Sequence, residues 1–386
     1  VPPGAAYEVD LSWMCDLSVR EPFEPYGATV FFDRRQRVLA IWWSHGRVLA
    51  KPGSPEWLHA KWVFRCSLLT GVTLKDHLTT THLVIANALV TSTREHLKPA
   101  HPLRRLLKPF TYRTVAVNRG ARALLCQELS LLHRTVALDA QGLRAGFNAS
   151  IRAARAGFDP LGPGLLDDAA TPLLDEGEAR TPFARDAARF RAVVERFVDR
   201  YVRAYYTNDD ILLADAQART FWQSLRTSFP RIPELGGPAR GEGARNGEGR
   251  KRRDAHKARD MLVKALSSFV LHVTAVHKHV GAAGEYVADP RYAAGKIRAG
   301  VEVADVQSTV QVLSIAMVTG FRQPPLLDDY SHVLLHDVHL RETRAAFEDF
   351  QTDLADLSKA VRARNRKRRF RPSSFDPARL ASSVSI

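Results

Sequence analysis

The strongest constraint on the fold comes from one long and unusually apolar helical pattern in the first quarter of the chain. Residues 74–97, LKDHLTTTHLVIANALVTSTREHL, carry apolar side chains on more than one face of a helix. A helix of this kind has to be surrounded by other parts of the protein. Further helical patterns follow over residues 183–206 and 258–280. The sequence therefore predicts a mainly α fold, with a long central helix that bears histidines.

Two segments depart from this helical character. GATVFFDRRQRVLAIWW (27–43) has two short β-branched and aromatic runs around the charged turn DRRQR, which predicts a β-hairpin. Residues 234–258 are rich in Gly and Arg, a composition typical of a disordered insertion. We therefore expect one large helical domain with a small β portion near its N-terminus.

The charge balance is strongly basic, with 56 Lys and Arg against 41 Asp and Glu and a net charge of +15. Two runs, residues 249–259 and 362–371, hold much of the excess. Such runs are most often solvated surface, and they can also attract an anionic membrane surface or fatty-acid carboxylates. No zinc-ligand spacing, basic strand with interleaved aromatics or helix-turn-helix pattern accompanies them. We therefore expect no nucleic-acid partner.

Cysteine content and the length of the apolar runs indicate the cellular compartment in which the protein works. The three cysteines are too few and too scattered for a disulfide framework or a cysteine metal site, which favours a reducing compartment. No apolar run reaches the roughly 18 residues that cross a bilayer. We therefore expect a cytoplasmic or peripheral membrane protein. The chain starts at Val1 rather than at a methionine, so we make no prediction about a signal peptide.

Histidines on two helical segments are the residues with the most chemical promise. His77 and His82 form an H-x4-H pair, and a spacing of five does not return to the same face of an α-helix. Their imidazoles converge only if a π-bulge widens the helix, and such bulges are frequent at functional sites. The second segment, HVTAVHKHVG, carries His272, His277 and His279.

These histidines have two interpretations. On two buried helices they can form a nitrogen-rich metal site, to which the C-terminal carboxylate of Ile386 would add an oxygen ligand. Such a set with open positions suits non-heme iron. Alternatively, each histidine is a hydrogen-bonded core residue. The chain has 14 histidines in 386 residues, so some pairs at this spacing are expected by chance.

Several motifs occur in the order in which one known family has them. They are EWLHAKWVFR (56–65), HLTTTHL (77–83), LKPAHPLRRLLKPFTYRT (97–114), VNRGARALL (117–125), YVRAYYTNDDILLADAQARTFW (201–222), TAVHKHV (274–280) and the terminal SVSI. Together they resemble the catalytic domain of lipoxygenases. The resemblance implies a helical lipoxygenase-type domain over residues 1–386, without the N-terminal β-sandwich that plant and animal members carry.

The resemblance also implies a metal-ligand set. In lipoxygenases two histidines of the central helix, one histidine of a second helix and the carboxylate of a C-terminal isoleucine bind the metal. His277 and Ile386 match the last two of these positions. The family usually has another ligand four residues after the histidine of the second helix, and that position is Gly281 here. A water molecule could take its place.

The pair on the central helix can be aligned in two ways. Counted from Ala60 and Lys61, the first family histidine falls on Val72 and the second on His77, which leaves one ligand missing. Alternatively, the register has slipped by five residues, and His77 and His82 are the working pair. We prefer the slipped register because it keeps two imidazoles on the helix.

Four more residues complete the predicted site. Asn87 and His272 are candidates for a metal ligand or for a hydrogen-bond partner of a ligand. Ser130 falls near the position that helps to set the place and stereochemistry of oxygenation in the family, and we assign it with Leu78 to the substrate pocket.

The implied function is that of a monomeric dioxygenase. It would hold non-heme iron, or alternatively manganese, and would add O2 to a polyunsaturated fatty acid or a related lipid to give a hydroperoxide. The departures at Val72 and Gly281 keep an alternative open. In that alternative the chain is a lipoxygenase-like scaffold with altered or no catalysis, which binds lipid or a protein partner.

Overall fold

The computed structural model describes residues 1–162, 171–172, 182–237, 257–282, 289, 292–318, 323–334, 339–367 and 375–385. The fold is mainly helical with a small sheet near the N-terminus, which confirms the predicted fold class. Ile386 lies outside the described residues, and so do residues 238–256 of the predicted insertion and 368–371 of the second basic run. None of the described helices combines the length and the hydropathy that crossing a bilayer requires.

A five-stranded antiparallel sheet lies at the N-terminal end, in the strand order β4-β3-β2-β1-β5. Its strands are β1 (Tyr7–Asp10), β2 (Ala28–Phe32), β3 (Val38–Trp43), β4 (Val48–Ala50) and β5 (Thr171–Pro172). β2 and β3 form a hairpin over the segment for which the sequence predicts one, with Val30 opposite Ile41. These two side chains pack on Ala60 and Val63 of the first long helix, so the sheet covers one side of that helix.

The helices follow in chain order: α1 (Trp57–Gly71), α2 (Asn87–His96), α3 (Pro102–Leu107), α4 (Thr114–Leu124), α5 (Leu131–Thr135), α6 (Ala140–Gly157), α7 (Pro182–Tyr205), α8 (Asp209–Ala214), α9 (Ala216–Ser228), α10 (Ala258–Leu271), α11 (His277–Gly281), α12 (Val306–Val318) and α13 (Leu340–Arg366). Two π-helical segments, π1 (Val72–Ala86) and π2 (His272–Val276), interrupt this series. α1, π1 and α2 form one unbroken central helix, and α10, π2 and α11 form a second helix.

The π1 segment is stabilised by its own threonines. The Thr79 hydroxyl donates to the Leu74 carbonyl at 2.7 Å, and the Thr81 hydroxyl donates to the Asp76 carbonyl at 2.8 Å. Both bonds join residues five apart, which matches the i to i+5 register of a π-helix. The spacing of five that His77 and His82 require is therefore reinforced by residues between and beside them.

The largest apolar core surrounds the two histidine helices. α7 packs between α10 and α13, and aromatic side chains fill the contacts, for example Phe197 stacked on Phe350 with ring centroids 4.4 Å apart. α6 packs against π1, where a Cβ on Gly146 would lie 3.3 Å from a methyl of Leu74. Both histidine helices are thus enclosed, as the apolar pattern of the central helix predicts.

The C-terminal segment, residues 375–385, runs through the interior. The backbone N–H of Ser382 donates to the Pro324 carbonyl at 3.0 Å, and the Ser383 hydroxyl donates to the Tyr112 carbonyl at 2.9 Å. Val384 is fully buried in the main core. The segment is therefore held at several points up to its last described residue.

Candidate metal centre

Three imidazoles from the two long helices converge on one another. The Nε2 atoms of His77 and His82 are 3.2 Å apart, those of His82 and His277 are 2.9 Å apart, and those of His77 and His277 are 3.3 Å apart. His82 and His277 are buried, and His77 is half-buried. Three ring nitrogens thus share one small volume inside the protein.

The π-helical segments bring these rings together. His77 and His82 are five residues apart within π1, so the widened turn puts both side chains on one face of the central helix. His277 follows directly after π2 on the second helix, which packs against π1. An unwidened α-helix would separate His77 and His82 by more than a quarter turn.

Burial favours the neutral form of the His77 and His82 rings. Burial lowers the pKa of His82 to about 4. Burial, together with repulsion from a charged His82 ring, holds the pKa of His77 well below its ordinary value. A neutral imidazole has one nitrogen with a free lone pair, which is the form that binds a metal.

A side chain from α4 orients His82. The Nδ1 atom of His82 lies 3.0 Å from Oδ1 of Asn118, and the Asn118 amide donates from Nδ2 to the backbone carbonyl of His82 at 2.8 Å. A metal-binding histidine almost always has a hydrogen-bond partner on its other ring nitrogen. The environment of His82 has that arrangement.

The spacing of the three nitrogens fits a metal. Two nitrogens bound at about 2.1 Å from one ion and at right angles to each other are about 3.0 Å apart. The three separations in the cluster are 2.9, 3.2 and 3.3 Å. Among the described residues the cluster contains imidazoles and no carboxylate. The donor set therefore suits a divalent transition metal and leaves positions for further ligands.

An apolar cavity of about 360 Å³ adjoins the cluster. Along the central helix its lining runs from Trp57 to His77, and it also includes side chains of β2 and β3 and residues 280–281 of the second helix. Two cationic side chains, Lys61 and Arg65, are part of this lining. The cavity thus links the sheet side of the central helix with the imidazoles.

Gly281 leaves the space beside His77 free of a side chain. A Cβ at this position would lie 2.7 Å from Nε2 of His77, which is closer than any ordinary contact between carbon and nitrogen. The residue four positions after His277 therefore supplies no ligand atom, and its small size keeps the space beside His77 open.

Several predicted site residues lie elsewhere. Asn87, predicted as a ligand or as the partner of a ligand, is exposed on the central helix. His272 is buried outside the cluster, with Nδ1 donating to the Ser268 carbonyl at 3.0 Å. Leu78 packs in a second apolar core, and the Ser130 hydroxyl donates to the Leu125 carbonyl at 2.6 Å. Neither of the last two lines the cavity beside the cluster.

The sequence of the chain is similar to those of lipoxygenases. It is 26% identical over 356 residues to the polyunsaturated fatty acid lipoxygenase ALOX12 of Mus musculus, a match that covers 87% of this chain and 50% of that protein. It is 26% identical over 357 residues to the hydroperoxide isomerase ALOXE3 of Rattus norvegicus, covering 86% of this chain and 46% of that one. The chain thus spans about half the length of these curated relatives. No model of a protein family matches it.

The fold agrees with these matches. The solved structure of coral 8R-lipoxygenase superposes with a TM-score of 0.78 over 99% of this chain and 59% of that one, at 18% identity. The chain has the fold of a lipoxygenase catalytic domain. In this lipoxygenase-like domain the structure brings His77 and His82 together, the pair of the slipped register, and leaves Val72 among the residues that line the cavity.

The sequence does not predict the contact between Asn118 and His82. Asn118 lies in the VNRGARALL motif, but nothing in its spacing connects it with His82, which is 36 residues earlier. The contact exists because α4 packs against π1. Asn118 and Thr114 are the buried residues of this helix, and the sequence pattern alone does not single out either of them.

Proposed function

We propose that this chain is a metal-dependent dioxygenase that adds O2 to a polyunsaturated fatty acid and produces a lipid hydroperoxide. The observation that carries the proposal is the convergence of three imidazole nitrogens beside an apolar cavity. Similarity to a polyunsaturated fatty acid lipoxygenase supports the same substrate class.

His77, His82 and His277 would hold the metal, for which we propose iron, with manganese as the alternative. We further propose that the carboxylate of Ile386 is an oxygen ligand. Together these groups would form a His and carboxylate set with open positions, which suits non-heme iron. A bound iron ion would supply the one-electron redox chemistry that removes a hydrogen atom from the substrate.

The protein would contribute positioning and exclusion of water. Apolar side chains of α1 and the sheet, such as Phe32, Ile41 and Phe64, line the cavity. A site of this kind buries most of an apolar ligand and keeps water from a reactive intermediate. Because His77 is both a lining residue and a member of the cluster, a lipid chain in the cavity would lie next to the imidazoles.

Two cations suit the acidic end of such a substrate. Lys61 and Arg65 are four residues apart on α1, and side chains at that spacing share one helix face. The Arg65 guanidinium lies 4.2 Å from the centre of the Tyr292 ring, and the Lys61 ammonium lies 5.7 Å from that of Trp57. Since the rest of the lining is mainly apolar, these cations favour an anionic amphiphile such as a fatty acid.

An alternative is a lipoxygenase-like protein with altered or no catalysis. Gly281 favours it, because this position contributes no ligand atom to the cluster. The similarity to a hydroperoxide isomerase gives one form that altered chemistry could take, namely rearrangement of a hydroperoxide. In its inactive form the alternative is a scaffold that binds lipid or a protein partner.

The first experiment is metal analysis of the purified chain, before and after reconstitution with Fe2+ or Mn2+. We expect one equivalent of metal per chain, and conjugated-diene formation with linoleate and with longer polyenoic acids. Adding one Gly after Ile386 moves the terminal carboxylate and should lower metal content. Ile386→Val is the matched control, since it keeps the carboxylate in place.

The outcomes separate the two candidate functions. A folded chain that holds no metal after reconstitution would replace the enzyme by the scaffold. Metal without diene formation would favour altered chemistry, to be tested with a fatty-acid hydroperoxide. If the added Gly leaves metal content unchanged, Ile386 is not a ligand.

A further inference from the structure

Asn118 makes two hydrogen bonds to the same histidine, one to its ring and one to its backbone. Its Oδ1 lies 3.0 Å from Nδ1 of His82, and its Nδ2 lies 2.8 Å from the His82 carbonyl oxygen. The asparagine is 6% exposed, so water does not compete well for these contacts. No other described side chain is hydrogen-bonded to Nδ1 of His82.

These two bonds fix the proton of the ring. A backbone carbonyl can only accept, so the atom of Asn118 that faces it has to be the amide NH2. The amide oxygen therefore faces Nδ1, and because this oxygen can only accept, Nδ1 has to carry the proton. In a neutral imidazole the other nitrogen, Nε2, then has the free lone pair. This Nε2 is the atom that meets His77 and His277.

The backbone bond marks the place where the π-helix ends. The His82 carbonyl also accepts from the backbone N–H of Asn87, a bond between residues five apart. After this turn the helix returns to α geometry in α2, which starts at Asn87. Asn118 thus holds the carbonyl at the boundary between the two helix types, from a different helix.

We propose that Asn118 is a positioning residue, which fixes the tautomer and orientation of His82 so that its Nε2 lone pair faces the imidazole cluster. The inference rests on the proposed metal-binding function for its consequence, but the tautomer can be measured in the metal-free protein. Under this proposal α4 contributes no ligand to the cluster but orients one of the imidazoles through Asn118.

The test uses two variants of the full chain and one control. Asn118→Leu keeps the approximate volume and removes both hydrogen bonds. Asn118→Asp keeps an acceptor for Nδ1 and removes the donor to the carbonyl. Asn87→Leu is the control, because Asn87 flanks the same boundary and its side chain is exposed. Nitrogen-15 NMR of histidine-labelled, metal-free protein reads the His82 tautomer, and EPR of free Mn2+ reads the dissociation constant of the metal.

In the wild type and in Asn87→Leu we expect a single form of His82 with the proton on Nδ1. Asn118→Asp should keep Nδ1 protonated, whereas Asn118→Leu should give a mixture or the other tautomer. Loss of such a partner typically weakens metal binding about 10- to 100-fold, which we expect for Asn118→Leu, against less than about twofold for Asn87→Leu.

Two results would overturn the inference. One is an unchanged Nδ1–H tautomer together with wild-type Mn2+ affinity in Asn118→Leu. The other is a proton on Nε2 alone in Asn118→Asp, a result that counts even if the leucine variant does not fold. A wild-type chain that binds neither Fe2+ nor Mn2+ but shows the expected tautomer would contradict the proposed function and leave the role of Asn118 in fixing the tautomer supported.

Discussion

His82 and His272 are two buried imidazoles that share almost every local property. Both lie in π-helical segments of long helices, and both are almost fully buried. In each ring Nδ1 faces an oxygen, Oδ1 of Asn118 in one case and the carbonyl of Ser268 in the other. Burial lowers the pKa of both rings to about 4. Judged from helix type, burial and pKa, they are equivalent.

They differ in what the second ring nitrogen meets. Nε2 of His82 lies within 3.2 Å of the corresponding atoms of His77 and His277. Nε2 of His272 has no hydrogen-bond partner among the described residues, and its ring stands edge-on to Phe158 with centroids 5.0 Å apart. A low pKa and a fixed tautomer therefore do not mark a metal site in this fold. The convergence of ring nitrogens is the feature that distinguishes the proposed metal site from His272.

The largest test of this contrast is to remove each ring in turn. We expect His82→Leu to abolish metal binding, because only two of the three imidazoles would remain to hold the ion. We expect His272→Leu to keep one equivalent of metal with an affinity within about threefold of wild type, since its ring is not in the cluster. Elemental analysis after reconstitution measures the metal content of both variants, and titration with Mn2+ measures the affinity of His272→Leu.

Two results would contradict the expected difference between His82 and His272 in metal binding. Metal retained at full stoichiometry by His82→Leu would remove His82 from the ligand set. Metal lost by a folded His272→Leu chain would mean that the second helix, rather than the cluster itself, controls binding. Far-UV circular dichroism and urea unfolding of both variants at pH 7 distinguish loss of metal from loss of fold.

The two rings should be alike in how they respond to pH. Each has a folded pKa of about 4 and an ordinary value of 6.5, so the unfolded chain binds more protons between these values. The free energy of unfolding of the metal-free protein should be highest above pH 6.5. It should fall as the pH drops towards 4, by about 3 kcal/mol for each ring.

The measurement is urea unfolding of the metal-free wild type and of both leucine variants at pH 7 and pH 4.5. Each variant should lose less stability than the wild type over this interval, and the two reductions should be similar. A reduction in one variant alone would show that the two burial environments are not equivalent. If the two variants show the same change in pH-dependent stability but differ in metal binding, burial of a ring is not what makes it a ligand.

Much of this arrangement is visible in the sequence. The apolar central pattern predicts an enclosed helix, and the spacing of five between His77 and His82 requires the π-helix that the structure contains. Asn87 illustrates where the reasoning stops. In a continuing π-helix it would follow His82 on the same face, but π1 ends at Ala86. The Asn87 side chain is exposed in the structure, although the Asn87 N–H still bonds to the His82 carbonyl five residues earlier.

The hydrogen-bond partner of His82 and the cavity beside the cluster both depend on packing between segments that are distant in the sequence. Asn118 reaches His82 because α4 lies against π1, and no local pattern encodes that contact. The resemblance places Ser130 near a position that helps to set oxygenation, and on that basis we assign it with Leu78 to the substrate pocket. The cavity beside the cluster instead lies between α1 and the sheet, and the sequence predicts these two elements without predicting that they pack together.

The smallest predicted effect tests whether a small displacement of the His77 ring weakens metal binding. Two helical glycines serve as a matched pair. A Cβ on Gly281 would lie 2.7 Å from Nε2 of His77, whereas a Cβ on Gly120 would meet nothing within 4 Å. Gly281→Ala should displace the His77 ring and weaken Mn2+ binding about tenfold, or about 1.4 kcal/mol. Gly120→Ala should leave the affinity unchanged and raise the free energy of unfolding by about 0.5–1 kcal/mol, because alanine favours a helix.

Isothermal titration of Mn2+ into both variants, with urea unfolding of the metal-free chains, measures this difference. Wild-type affinity in Gly281→Ala would mean that His77 can move by several tenths of an ångström without leaving the metal. The cluster would then tolerate a displaced His77 ring, and only His82 and His277 would have to keep their positions for the metal to bind. A loss confined to Gly281→Ala would instead tie metal binding to the absence of a side chain four residues after His277, the feature that otherwise argues most strongly for an inactive scaffold.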